Sequence, residues 1–174
     1  KQKDKNMKLY KSLYSFLLMS SFLPLSAMAG STVWTVGGEQ GWREISATND
    51  DGYTINFSCD AGAREGSEDH IAGRNLYVSG GKENADFSTR DTISRKADVI
   101  TLIVGPDSFN IGTQNTAPNR REWYSFWKAV SSTNEKNIDV YIGSSRITSF
   151  TLDGISSIYT EAKNDGCLKQ DDGE

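Results

Sequence analysis

The sequence predicts an α+β domain: a mainly antiparallel β-sheet, arranged as a sandwich or open barrel, with two short amphipathic helices packed on it. Three observations lead there. Several short segments alternate apolar and polar residues with period two. Two later segments switch to helical spacing. Turn chemistry separates neighbouring strands closely enough for hairpins rather than long crossovers.

The first clear strand is Tyr53 to Cys59, where Tyr53, Ile55, Phe57 and Cys59 fall on one face and Thr54, Asn56 and Ser58 on the other. Asn49-Asp50-Asp51-Gly52 before it has the Asp-Gly chemistry of a hairpin turn, and Trp42 to Ala47 supplies the preceding strand. Asn75 to Ser79 and Val99 to Val104 are the next strands. The latter is nearly all apolar, which predicts a central strand covered on both faces. Ile138 to Ile142 alternates again, and Gly143-Ser144-Ser145 turns the chain into Arg146 to Leu152, a second hairpin.

Helical spacing appears twice. Asn119 with Glu122 three residues on matches a capping box, and Trp123, Phe126, Trp127 and Val130 recur at i, i+3, i+4 and i+7. Asp153 is placed to cap a last helix with Ile155, Ile158, Tyr159 and Ala162 on its apolar face, stopped by Gly166. The polar stretches Ala61 to Arg74 and Gly80 to Lys96 lack a period and read as long loops.

With 174 residues, 36% of them hydrophobic and 24% charged, the chain has the size and composition of one ordinary domain. Its start reads as an export signal. Lys8 and Lys11 precede the apolar run Leu13 to Leu25, interrupted by Pro24, and Ala27-Met28-Ala29 offers the small residues of a cleavage site. Thirteen residues of helix cover roughly 20 Å, short of the about 30 Å of a bilayer's hydrocarbon, so the run suits a cleaved leader better than an anchor. The expected organisation is a leader over residues 1–29 and a single β-rich domain over residues 30–174. Within the leader, residues 7–29 are the signal peptide, starting at Met7, and residues 1–6 an upstream remnant. The expected location is the periplasm or the medium.

The two cysteines fit that compartment. In an oxidising environment Cys59 and Cys167 have only each other, so a disulfide joining the C-terminus to an early strand is expected. The domain after the leader carries 14 basic against 22 acidic residues, a formal net charge of −8. Such a balance disfavours nucleic acid and anionic membrane surfaces, and it suits a basic protein partner.

Catalytic signals are weak. One histidine excludes sites that need two imidazoles. Glu65, Glu68, Asp69 and His70 crowd together, yet their spacing matches no ligand loop and reads as a solvated acidic run. Gly143-Ser144-Ser145 is not the Gly-x-Ser-x-Gly of a hydrolase elbow. No catalytic residue, cofactor or metal is assigned. The sequon Asn56-Phe57-Ser58 lies within a strand and reads as silent. Recognition is the favoured chemistry. On the aromatic helix, Trp123, Phe126 and Trp127 are read as core, whereas Tyr124, Arg120 and Arg121 project elsewhere and are candidate partner contacts, with Glu65, Glu68 and Asp69 as a charged rim. Trp34 and Trp42 flank Gly37, Gly38 and Gly41 and are expected to form a second aromatic patch.

One arrangement carries a resemblance. Trp34 soon after the leader, Cys59 on an early strand, Phe150, Leu152 and Gly154 running into a short helix, and the terminal Cys167 together resemble the small exported proteins of the invasion-associated locus B type. The resemblance implies a periplasmic β-sheet domain without a known catalytic site and carries over no functional residues. The function expected is that of a non-enzymatic binding protein, an inhibitor or immunity-type factor acting on an envelope-directed protein. The alternatives are a small periplasmic hydrolase acting on cell-wall glycan or peptide, and a structural or adhesive envelope protein. Oligomeric state is left open.

Overall fold

The computed structural model describes residues 32–39, 41–60, 73–114, 116–163 and 167–168. The expected leader, its cleavage site and the acidic run around Glu65 lie outside those residues. Two antiparallel sheets face each other and do not close into a barrel. The first is a meander of β1 (Val33–Gly37), β2 (Trp42–Thr48), β3 (Tyr53–Asp60), β4 (Asn75–Gly80) and β5 (Ala85–Ser88), paired in that order. The second contains β6 (Ile100–Val104), β7 (Asp107–Ile111), β8 (Asn137–Ile142) and β9 (Ser145–Thr151), in the order β7-β6-β8-β9. Helices α1 (Ala117–Ser132) and α2 (Ile155–Ala162) complete the α+β architecture.

Alternation sets which residues meet between the sheets. Ile45 and Ala47 on β2 face inward beside Ile55 and Phe57 on β3, in register Ile45 with Phe57 and Ala47 with Ile55. From the second sheet come Ile100, Leu102, Phe109, Ile138, Val140 and Phe150, all buried. Phe57 is the centre. Its ring stacks on Phe126 at 5.2 Å between centroids and meets Trp127 edge-on at 4.8 Å and Trp123 at 5.7 Å. The spacing i, i+3, i+4 thus turns one face of α1 into a wedge against β3.

Polar bonds also join the two sheets. Trp34 on β1 donates its indole N–H to the Thr151 carbonyl at 2.7 Å, and Thr151 donates its backbone N–H to the Thr32 hydroxyl at 3.1 Å. Asn49 has two roles. In the β2–β3 turn its side-chain oxygen accepts from the Tyr53 N–H at 3.0 Å. Its amide group donates to the Thr148 hydroxyl at 2.7 Å and the Ser149 carbonyl at 2.8 Å on β9. A turn residue therefore also joins the two sheets.

The disulfide expected from the cysteine count is present, joining Cys59 on β3 to Cys167 with 5.9 Å between Cα atoms. Other expectations need correction. The stretch Gly80 to Lys96, read as a loop, contains β5, which pairs with β4 but turns little besides the half-buried Phe87 toward the core, so its alternation is faint. Strands β1 and β7 were not anticipated either. β6 is an interior strand, yet only Ile100, Leu102 and Val104 are buried, because nothing packs on the face carrying Thr101 and Ile103 as completely as the core does.

The helix starts differ as well. Thr116 is the N-cap of α1 and accepts from the Asn119 N–H, with Pro118 in the first turn, where its missing N–H costs nothing. Glu122, expected to close a capping box, instead accepts from the Asn110 N–H on β7 at 3.2 Å. At α2 the cap position falls on Gly154 in the left-handed region, with no side-chain cap from Asp153. Among the described residues no helix is long and apolar enough to cross a membrane.

Candidate functional site

The inward parity of β2 and β3 leaves the other parity to build an outer face. Trp42, Glu44, Thr54, Asn56, Ser58, Tyr77 and Ser79 line a shallow groove across β2, β3 and β4, with Asp86 and Arg90 at its far side and a volume of about 510 Å³. Its floor is made of short polar side chains. Trp42 stands at one end, 38% exposed, where most tryptophans are covered. A second hollow adjoins it, lined by Gly38, Glu39, Trp42 and Glu44, so the indole has a carboxylate on either side in sequence.

The turn that presents Trp42 depends on its glycine. Trp42 donates its backbone N–H to the Glu39 carbonyl at 3.0 Å, and Gly38 has φ of 129°. A Cβ at Gly38 would run into the Trp42 carbonyl, so only glycine allows the β1–β2 turn to close this tightly. Trp34 and Trp42 do not form the shared aromatic patch expected of them. Trp34 pairs across from Ala47 on the inner face and is buried, whereas Trp42 pairs with Asp60 and belongs to the outer parity.

At the β5 side, an ion-pair clasp holds the chain that leads to β6. Arg95 donates to Asp86 and to Asp98, each at 2.8 Å, and Asp98 also accepts from the Ser88 N–H at 2.9 Å. The hydrogen bond to Asp98 is the main reason that the Arg95 guanidinium is held above its ordinary pKa, with the Asp86 charge adding to it. On the outer face of the second sheet Arg146 donates to Asp139 at 2.7 Å, and that hydrogen bond raises its pKa too.

The contacts expected on α1 divide. Arg121 is exposed and Arg120 half-buried. Tyr124 is not a projecting side chain: it is 9% exposed, its hydroxyl accepts from Arg74, and the Arg74 guanidinium lies 4.9 Å from its ring centroid. The reason is the width of the buried stripe, which extends past the tryptophans far enough to take in Tyr124. Glu65, Glu68 and Asp69 lie outside the described residues, as does His70. Among the described residues no group of three or more His, Cys, Asp or Glu is placed to hold a metal.

Of the two tryptophans expected to share a patch, Trp42 alone is the exposed one, and the alternation of β2 carries the reason. Ile45 and Ala47 share one parity on β2, so Trp42 and Glu44 must share the other.

Fold and outer face together define an α+β sandwich with one polar, concave sheet surface open to solvent. The chain belongs to the YfjT family, whose model matches residues 32–159. That match spans every strand and all of α1, and it brings no activity, ligand or link to the invasion-associated locus B type with it. Comparison with curated proteins and comparison with solved structures each return no match.

Proposed function

We propose that the chain is a non-enzymatic binding protein of the bacterial envelope, exported to the periplasm, which acts as an inhibitor or immunity-type factor on a basic envelope-directed protein. The observation that carries this reading is Trp42. It stands 38% exposed at the end of a polar groove, with Glu39 and Glu44 lining the hollow beside it. Tryptophan is the residue type most enriched among contacts that dominate binding energy, and flanking carboxylates suit Lys or Arg on the partner.

Charge supports the same direction. The formal net charge of −8 over residues 30–174 attracts a basic protein at long range, before any contact is made. The half-buried Tyr77 extends the aromatic surface along the groove.

The test uses the mature chain with a purified basic cell-wall muramidase as the probe partner, read by isothermal titration. Trp42→Ala should weaken binding by about thirtyfold or more, corresponding to about 2 kcal/mol for a central aromatic contact. Lys128→Ala, an exposed side chain of α1 that lines neither hollow, should leave it unchanged. Binding indifferent to Trp42→Ala rejects this surface, and inhibition retained in that variant rejects the mechanism.

A further inference from the structure

We propose that a second, smaller pocket binds the carboxylate end of an amino acid or peptide, that is, a carboxylate one carbon away from an N–H. The pocket lies where the start of β4, the chain leaving β5 and the segment between β7 and α1 converge. It has a volume of about 270 Å³, room for a small molecule and not for a protein surface.

Gln114 is the key residue. It lines the pocket, is 3% exposed, and donates its amide Nε2–H to the Gly112 carbonyl at 2.9 Å. A carbonyl can only accept, so the amide is oriented, and its Oε1 must face the other way. That oxygen is buried and has no hydrogen-bond partner among the described residues. An unsatisfied buried acceptor is expensive to keep, and a ligand N–H or O–H would satisfy it.

The other lining groups point to an anion beside that donor. Arg90, exposed at the mouth, offers a guanidinium whose fork matches a carboxylate. Thr89, which also lines the pocket, is 1% exposed, and its hydroxyl oxygen already accepts from the Leu76 N–H at 2.9 Å, which leaves its proton as a donor. Acceptor for N–H and donors for carboxylate thus occur together in one small space. A neutral sugar would satisfy Gln114 but make no use of the charge on Arg90. The same end group occurs in a free amino acid, with an ammonium, and at a peptide C-terminus, with an amide. Asp91, also lining the pocket, would favour the ammonium form.

The experiment is ligand-induced thermal shift and isothermal titration of the full chain. The probes are alanine, N-acetylalanine, acetate and N-acetylglucosamine. Alanine or N-acetylalanine should bind, the stronger of the two identifying the source, and acetate should bind about tenfold more weakly because it lacks the N–H. Gln114→Leu removes the acceptor, and Arg90→Gln changes an exposed side chain that the fold does not need. Each should weaken binding about tenfold while the melting transition persists. The proposal is overturned if neither amino-acid probe binds, if both variants bind as the parent does, or if N-acetylglucosamine is preferred. Because Trp42 takes no part in this pocket, Trp42→Ala should leave the binding intact, which separates this result from the fate of the outer face.

Discussion

Trp123 donates its indole N–H to the carbonyl oxygen of Cys167 at 2.7 Å, so the residue that closes the disulfide is also fastened to the aromatic face of α1. Both bonds converge near Phe57, two residues before Cys59 on β3. The C-terminal end of the domain is thereby tied to the centre of its core.

Breaking the disulfide should free the unfolded chain and loosen the C-terminal segment in the folded one. Cys167→Ser is expected to destabilise by about 2 to 5 kcal/mol, the range for a bridge across a long loop, and urea unfolding of the oxidised parent and the variant reads the difference. Titration of the denatured, unreduced parent should find no free thiol.

The two tryptophans of α1 differ in a testable way. Both are fully buried, but among the described residues only Trp123 has a partner for its indole N–H, and the Trp127 Nε1 has none. Trp123→Phe leaves the Cys167 carbonyl without its donor, while Trp127→Phe removes an unsatisfied polar group. The first should cost about 1 to 2 kcal/mol more than the second, read as a difference in chemical-denaturation free energies. Equal losses would show that cavity formation outweighs the hydrogen bond.

Asn49 gives a third expectation. Asn49→Ala loses the turn bond to Tyr53 and both bonds to β9, and should destabilise by about 1 to 3 kcal/mol. Hydrogen exchange should show the Tyr53 N–H opening faster, while β4 stays protected. Protection unchanged at Tyr53 would count against the bond.

The clasp on the outer face is worth less. Arg95→Ala removes two ion pairs that water still reaches and screens, so urea unfolding should show little change in global stability. Asp98→Ala should do more locally, because the Ser88 N–H loses its acceptor, and faster exchange at that amide is the measurement.

How much of this was legible depended on how many residues of each element face the core. Tyr53 to Cys59 alternates through four inward positions, and the α1 stripe repeats through two turns, so both were plain. β5 turns little more than Phe87 inward, too little for a period, although the hairpin partner β4 was recognised. β7 carries Phe109 and Ile111 in alternation, a signal of two residues that the turn at Gly105 and Pro106 separates from β6. The caps were misplaced because Thr116, Asn119 and Asp153 all have capping side chains, and packing chose among them. The disulfide followed from counting. The candidate site was legible by parity alone at Trp42, but the pocket around Gln114 unites three distant segments and no spacing reveals it.

Charge-steered binding at Trp42 is tested by the rate of association between the mature chain and the basic muramidase as salt is raised, in the parent and in Trp42→Ala. Exposed charges interact over a Debye length of about 8 Å at physiological ionic strength, so a charge-steered on-rate must fall with salt. Glu44→Lys should lower that on-rate further, and Trp42→Ala should chiefly raise the off-rate, since aromatic contact holds a complex that charge only assembles. A salt-independent on-rate with an off-rate unmoved by Trp42→Ala, or no association at all, would contradict it.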